Sequence, residues 1–190
     1  MGTVESRLFR NPLSRVSNWT AHLPLDRALA AWLRGGGSLT ARLRRSAPNF
    51  AMRRLAQFSG AALPDEAGRQ LLPRRRGAVV REVLLMGGAR PLVFAHSVAA
   101  TSSLNGPWRE LRGLGGRPLA ELLFADPRAR REPLRYALLR ASDPLGRRVR
   151  RALPDIAFPL WARRSVFRHR GVPLMVTEVF LPAIKDLPPR

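Results

Sequence analysis

Cysteine is absent from the sequence, which excludes disulfides, thiolate catalysis and cysteine-based metal sites. The three histidines, His22, His96 and His169, are too far apart to form a metal-binding motif such as H-x-x-x-H. The sequence therefore predicts neither a cysteine nucleophile nor a histidine-based metal centre.

Long apolar runs are also absent, and no segment approaches the roughly 20 apolar residues that cross a membrane. Residues 1–12 include Glu5 and lack the apolar core of a secretory signal. Residues 1–6 fit the loose N-myristoylation pattern, but that pattern is so short that we interpret the match as chance. We expect no membrane span and a cytoplasmic location.

Basic charge, in contrast, is abundant. The chain has 34 basic and 13 acidic residues, a net charge of +21, and Lys185 is its only lysine. Such a charge attracts polyanions and would steer a dianionic substrate. The arginines are scattered and accompany no nucleic-acid-binding motif, which favours a solvated basic surface over a specific nucleic-acid partner. An RNA-associated protein, whose binding would weaken steeply with salt, is the competing interpretation.

The chain is 190 residues long and 45% hydrophobic, enough to bury a core around a small-molecule pocket. We predict a single domain over residues 1–190, and we expect the protein to be a monomer. Residues 1–24 mix turn-forming residues with Trp19 and are expected to wrap around the surface.

Three segments have the apolar spacing or proline placement of short helices. Asp26 is expected in the first turn of the first helix, Gly35, Gly36 and Gly37 end it, and Ser38 is a plausible N-cap for the second. The predicted helices cover residues 25–33, 39–45 and 120–124.

Two pairs of segments are typical of β-hairpins, with turns at residues 87–90 and 169–172. The predicted strands cover residues 78–86, 91–99, 158–168 and 174–181. Because helices gather early and hairpins recur later, the order predicts an α+β fold, an antiparallel β-sheet with helices packed on it, rather than alternating βαβ units.

Two ionisable residues lie in the middle of predicted strands. Arg81 shares a face with Val83 and Leu85, and Glu178 shares a face with Val176. A charge on an apolar face must be paired or must face a polar cavity. Arg81 and Glu178 are therefore either structural, paired with each other or with neighbours, or functional. In the functional interpretation Arg81 binds a carboxylate bidentately and Glu178 meets a hydroxyl.

The predicted helix starts at Leu39 and Leu119 suggest further anion contacts. First-turn amides have no partner inside their helix and lie at the positive end of the helix dipole. Both could bind an anion, although most such amides are simply capped or hydrated.

No serine has a G-x-S-x-G setting, and residues 113–116 do not continue into a dinucleotide-binding fingerprint. A cofactor is therefore not predicted.

Five motifs resemble those of the bacterial chorismate pyruvate-lyases of ubiquinone biosynthesis. They keep the family's order between residues 38 and 183 and lie at residues 81–85 (REVLL), 103–107 (SLNGP), 114–119 (LGGRPL, with Phe124), 160–165 (LWARRS) and 177–183 (TEVFLPA). The resemblance implies a chorismate lyase-like fold with an enclosed ligand pocket. It also implies cofactor-free conversion of chorismate to 4-hydroxybenzoate and pyruvate.

The same resemblance implies roles for four residues. Arg81 and the backbone amides of Leu39 and Leu119 would hold the ring carboxylate, and Glu178 would meet the hydroxyl on the other side of the ring. His96 departs from the pattern, because relatives can carry an arginine there, and Ala100 replaces a proline. His96 either contacts an anion or is a satisfied strand histidine, which we favour.

A ligand-sensing domain of similar fold, as in some bacterial transcription regulators, is the alternative function. It would need a DNA-binding helix-turn-helix segment, and the roughly 25–30 residues before the first predicted helix are expected to be too few for one.

Overall fold

The structure, a computed structural model, describes residues 18–67 and 77–189. Seven strands form one antiparallel sheet: β1 (Phe50–Gly60), β2 (Ala78–Gly87), β3 (Arg90–Ala100), β4 (Ala129–Arg131), β5 (Arg135–Leu139), β6 (Leu160–His169) and β7 (Val172–Phe180). Their order across the sheet is β1-β2-β3-β7-β6-β4, and β5 shares the outer edge of β6 with β4. The predicted α+β class with an antiparallel sheet is confirmed.

The two predicted hairpins form as expected. β2 pairs with β3 through a turn at Gly88, whose φ of +59° suits glycine. β6 pairs with β7 through Arg170 and Gly171, which both have positive φ, as in the tight turns that match strand twist. These hairpins and the β3–β7 pairing form the centre of the sheet.

Four α-helices accompany the sheet: α1 (Arg27–Arg34), α2 (Leu39–Ser46), α3 (Leu119–Ala125) and α4 (Pro144–Ala152). Three 3₁₀ helices lie at Thr101–Asn105, Arg109–Gly113 and Pro182–Asp186. Ser38 caps α2 as predicted, since its side chain accepts a hydrogen bond from the amide of Ala41. No helix of the described ranges has the length and apolarity that a membrane crossing requires.

The helices cover both faces of the sheet. On one face, α1 and α2 bury Trp32, Leu33 and Leu43 against strand residues that include Val83 and Phe180. α3 packs beside them through Leu123, which belongs to a cluster with Phe167 and Leu174. On the opposite face, α4 buries Leu145 and Val149 against Leu84, Phe94 and Val179. The site described below lies on the face that carries α1, α2 and α3.

The prediction for the first helix is wrong at its start. Asp26 is the N-cap, accepting a hydrogen bond from the amide of Leu29, so the helix begins at Arg27. Leu25 therefore precedes the helix, is 99% exposed and does not join the apolar side that was predicted for it. Strand and helix bounds elsewhere differ from prediction by one or two residues.

The predicted order of helices and strands is also only partly right. Strands β1, β4 and β5 and helix α4 were not predicted, and α4 lies in the second half of the chain. In the expected surface-wrapping segment, residues 1–17 lie outside the described residues. Thr20 pairs with Tyr136 on β5 through two backbone hydrogen bonds, so this part of the segment lies along the edge of the sheet.

Candidate functional site

The strand register places Arg81 and Glu178 on one face of the sheet. Arg81 on β2 is opposite Ser97 on β3, which is opposite Val176 on β7. Glu178 lies two residues further along β7, opposite Ala95. Because side chains alternate between faces, these positions all point to the same side. Strand β3 separates the two charged residues, so they approach a common space from different strands.

That space is a cavity between the sheet and the helices α2 and α3. It encloses about 590 Å³ that protein atoms do not occupy, including its opening to solvent. Its lining includes all four predicted site residues, Leu39, Arg81, Leu119 and Glu178. Apolar side chains form most of the remaining wall: Met52, Val83, Leu85, Ala95, Leu123, Phe124, Phe167 and Val176. The predicted residues are thus brought together, and their roles stay predictions.

Arg81 is held rigidly at the β2 end of the cavity. Its side chain is buried, and Nη1 donates to the carbonyl of Gly115 at 2.9 Å and to Oε1 of Gln57 at 3.0 Å. Nη2 donates to the carbonyl of Arg117 at 3.0 Å. Burial, with a smaller contribution from the nearby Arg54 cation, lowers the pKa of Arg81, but a guanidinium stays protonated. Two of these bonds fix the loop before α3, and the third fixes Gln57 on β1. Among the described residues, the remaining two of the five N–H groups have no acceptor and could bind a ligand.

Glu178 is oriented by a neighbouring arginine on β6. Arg163 is directly opposite Glu178 in the β6–β7 register, and its Nε donates to Oε2 of Glu178 at 2.6 Å. Arg163 is fully buried and its Nη1 also donates to the carbonyls of Leu33 and Gly35. Oε1 of Glu178 has no hydrogen bond to any of the described residues, and Glu178 lines the cavity. One carboxylate oxygen is thus anchored and the other is available to a ligand.

Of the two pairings that the structural interpretation allowed for Arg81 and Glu178, the structure has the one with neighbours. Both residues do pair with neighbours, as the contacts above show. They do not pair with each other, and both border the same cavity. Glu178 needs a charged partner because its strand is apolar, and Arg163 supplies it from the adjacent strand.

Two helix starts lie at the cavity wall. Leu39 is the first residue of α2, and Leu119 is the first residue of α3. Pro118 precedes Leu119 and provides no side-chain cap. The amides of first-turn residues have no acceptor within their own helix. Both residues line the cavity, and a contact between their amides and a ligand stays a prediction.

Arg131, the second arginine in the cavity lining, borders the cavity on the side away from Arg81. It ends β4, and its guanidinium lies 5.4 Å from the centre of the Phe167 ring. Nε donates to Oγ of Ser165 at 2.8 Å, and Nη1 donates to the carbonyl of Gly36. The pKa of Arg131 is lowered, because burial outweighs the opposing effect of the Glu178 carboxylate. The cavity therefore presents two half-buried or buried cations, which favours anionic ligands.

His96 faces the other side of the sheet. It is fully buried, and its Nδ1 lies 3.1 Å from Oε1 of Glu82. Its Nε2 lies 3.1 Å from Oε1 of Glu66, but this contact lacks the alignment of a hydrogen bond. Arg148 on α4 also donates to Glu82. Burial alone would lower the pKa of His96, but the two carboxylates outweigh it and raise the pKa to about 9. His96 is thus a buried strand histidine held between two carboxylates of the protein, which agrees with the structural alternative that we favoured, although Nε2 makes an ion pair and no aligned hydrogen bond.

Sequence reasoning missed Arg131 and Arg163. Arg163 carried a usable signal, because it lies in the middle of a predicted strand and shares a face with Trp161 and Ser165. Arg81 was identified from the same kind of position in its own strand. Arg131 carried none, since it lies in a short segment rich in exposed charge. Within residues 18–67 and 77–189, no three histidine, aspartate or glutamate side chains are grouped so that they could hold a metal ion.

Comparisons with known proteins find similar sequences over most of the chain. A family model described as chorismate lyase matches residues 16–186. The "Probable chorismate pyruvate-lyase" of Azoarcus sp. (strain BH72) is 49% identical over 179 residues, which cover 90% of this chain and 94% of that protein. The protein of the same name from Cupriavidus metallidurans is 45% identical over 170 residues, covering 86% of this chain and 79% of the relative.

Among solved structures, the C-terminal domain of the histidine utilization repressor from Pseudomonas syringae pv. tomato matches with a TM-score of 0.46 and 10% identity. The match covers 71% of this chain and 93% of that domain.

Proposed function

This chain belongs to the chorismate lyase family, and from that premise we propose that it converts chorismate to 4-hydroxybenzoate and pyruvate without a cofactor. As a member of that family it is a lyase. The proposed product is the aromatic precursor for ubiquinone, and the reaction would be the first step of that pathway. We also propose that the protein acts as a monomer.

The observation that carries the proposal is that Arg81 and Glu178 line one largely apolar cavity from two strands that β3 separates. In the proposed complex, Arg81 and the amides of Leu39 and Leu119 bind the ring carboxylate. Oε1 of Glu178 accepts a hydrogen bond from the 4-hydroxyl, which is para to that carboxylate. A flat ring between these groups would contact the apolar walls formed by residues such as Val83 and Leu123.

The chemistry needs little more than positioning and proton management. When the C4–H bond breaks, its electron pair forms the C3–C4 double bond and the C3–O bond to the enolpyruvyl group breaks. The ring becomes aromatic, and the released enol takes up a proton on carbon to give pyruvate. Glu178 is the group proposed to assist removal of the C4 proton. A well-placed acid or base contributes on the order of 10²–10⁴ in rate, and orientation contributes further.

Arg163 supports this role by anchoring Oε2, which leaves Oε1 of Glu178 directed at the substrate. Because the same groups would bind 4-hydroxybenzoate at both ends, we expect the product to leave slowly. A non-catalytic sensing domain, the alternative from sequence, is not favoured, because relatives that match most of this chain carry the name of the enzyme.

Incubation of the purified protein with chorismate tests the proposal. We expect 4-hydroxybenzoate and pyruvate to appear in equal amounts, and we expect the rate to be the same with and without a chelator. Protein that leaves chorismate unchanged under conditions where it is folded would overturn the proposal. Binding of RNA that weakens steeply with salt, without any effect on chorismate, would favour the competing interpretation of the charge.

A further inference from the structure

Chorismate has two carboxylates, and the groups assigned so far bind only one of them. The second belongs to the enolpyruvyl substituent on C3, next to the carbon that carries the hydroxyl. With the hydroxyl at Glu178, this carboxylate would lie in the same end of the cavity. A carboxylate that is taken out of water beside Glu178 needs a cation of its own. The site therefore requires a positive group on the side of Glu178 that faces away from Arg81.

Arg131 occupies that side. In the order β1-β2-β3-β7-β6-β4, Glu178 on β7 has Arg81 two strands away in one direction and Arg131 two strands away in the other. Arg131 is opposite Phe167 in the β4–β6 register, and both residues line the cavity. Glu178 is close enough to influence Arg131 electrostatically. Arg81 and Arg131 thus lie on either side of the Glu178 carboxylate.

The hydrogen bonds of Arg131 leave one edge of the guanidinium unused. Nε is committed to Ser165, and Nη1 is committed to the carbonyls of Gly36 and Gly37. Across residues 18–67 and 77–189, Nη2 has no hydrogen-bond acceptor, and it is not among the buried atoms that lack a partner. Nη2 is therefore an accessible donor, and it belongs to a residue that lines the cavity. Arg163, whose Nη2 is sealed in the core, is not part of the cavity lining.

We propose that Nη2 of Arg131 binds the carboxylate of the enolpyruvyl group and selects substrates that carry this second anion. This inference rests on the function proposed above, and it deepens it by naming the group that recognises the part of chorismate that leaves. The same cation lies beside the oxygen that receives the electron pair of the broken C3–O bond. After cleavage, the product 4-hydroxybenzoate has no group for Arg131 to bind, whereas pyruvate retains its carboxylate.

The experiment compares Arg131→Met with Arg130→Met, using two ligands. Arg130 is the preceding residue of β4 and is exposed, so its replacement removes the same charge from the same strand but outside the cavity. For each variant, kcat/KM for chorismate is measured together with the dissociation constant for 4-hydroxybenzoate. Arg131→Lys is included because it keeps the charge.

For Arg131→Met we expect kcat/KM for chorismate to fall roughly 10- to 100-fold, the effect of losing one hydrogen bond between charged groups. The affinity for 4-hydroxybenzoate is expected to stay within about threefold of the original protein. We expect Arg131→Lys to recover part of the loss and Arg130→Met to match the original protein. Inhibition by added pyruvate is expected to weaken only in the Arg131→Met variant.

Equal losses for chorismate and 4-hydroxybenzoate would overturn the inference, because Arg131 would then act only by holding the loop at Gly36 and Gly37. Unchanged kinetics in Arg131→Met would overturn it as well. In both cases the original protein would still turn over chorismate, so the proposed function would stand. An original protein without activity towards chorismate would instead remove the proposed function and this inference with it.

Discussion

Arg163 and Glu178 are cross-strand partners on β6 and β7, and their side chains meet at 2.6 Å between Nε and Oε2. The guanidinium is fully buried and also donates to backbone carbonyls at the end of α1. A single residue thus joins the helix end, the sheet and the carboxylate that faces the cavity. The rigid position of Glu178 follows from this pair, and the predictions below test its consequences.

Glu178→Gln is expected to lower turnover by a factor on the order of 10²–10⁴, because the amide cannot take up the C4 proton. Glutamine keeps an oxygen that accepts the hydrogen bond from Arg163, so the variant should remain folded. The measurement is the steady-state rate of 4-hydroxybenzoate formation, with circular dichroism as the control for folding. Unchanged turnover would remove Glu178 from the mechanism and leave the family assignment intact.

Arg163→Met is expected to destabilise the protein by about 3–5 kcal/mol, since it leaves the Glu178 carboxylate without its buried partner. Arg168→Met is the matched control on the same strand, because Arg168 pairs with Glu132 while both side chains are partly exposed. That pair should contribute less than about 1 kcal/mol. Urea unfolding of both variants gives the comparison, and similar losses would contradict a special role for the Arg163 pair.

Arg81→Lys is expected to weaken binding of 4-hydroxybenzoate by roughly 10- to 100-fold. Lysine keeps the charge, but its three donors cannot hold Gln57, Gly115 and Arg117 and also bind a carboxylate at two points, as the five donors of the planar guanidinium can. Calorimetric titration with 4-hydroxybenzoate measures the effect. Arg54→Lys on β1 is the control, and an affinity loss confined to Arg54→Lys would show that the carboxylate lies elsewhere.

His96 predicts a loss of stability at alkaline pH. Because its pKa in the folded protein is raised to about 9, above the ordinary value of 6.5, its contribution is complete below about pH 6.5 and is lost as the pH rises through 9. The loss between about pH 6.5 and about pH 9.5 should be on the order of 2–3 kcal/mol. Burial would raise the pKa values of Glu66 and Glu82, but His96 outweighs it and lowers them, so both stay ionised over this range.

Denaturant unfolding at the two pH values measures this loss. His96→Gln is expected to be less stable and to lack the alkaline loss centred near pH 9, because glutamine does not titrate. His22→Gln replaces an exposed histidine and should keep the full pH dependence. A steep alkaline loss that persists in His96→Gln would assign the effect to another group.

The central hairpins and the site residues on them could be predicted from the sequence. β2, β3 and β7 are rich in β-branched and apolar residues, so a charge in the middle of such a strand is conspicuous. Ser38 marked the start of α2 for a similarly local reason, its ability to cap the helix. Local chemistry therefore determined these elements.

Other elements depend on contacts between distant segments and could not be predicted. In α4 the core contact comes from Leu145 and Val149 within a segment of arginines, a signal too sparse to indicate a helix. The alternation of β1 is interrupted by a bulge between Arg54 and Ala56. Arg131 reaches the cavity only because β4 pairs with β6, and that pairing has no trace in the sequence around it.

The central claim is that Arg81 and Glu178 bind opposite ends of one ring, and a crystal structure with 4-hydroxybenzoate tests it most directly. The account predicts the carboxylate of the ligand at Arg81 and the amides of Leu39 and Leu119, with the hydroxyl at Oε1 of Glu178. A ligand bound outside this cavity, or bound with its carboxylate towards Glu178, would contradict it.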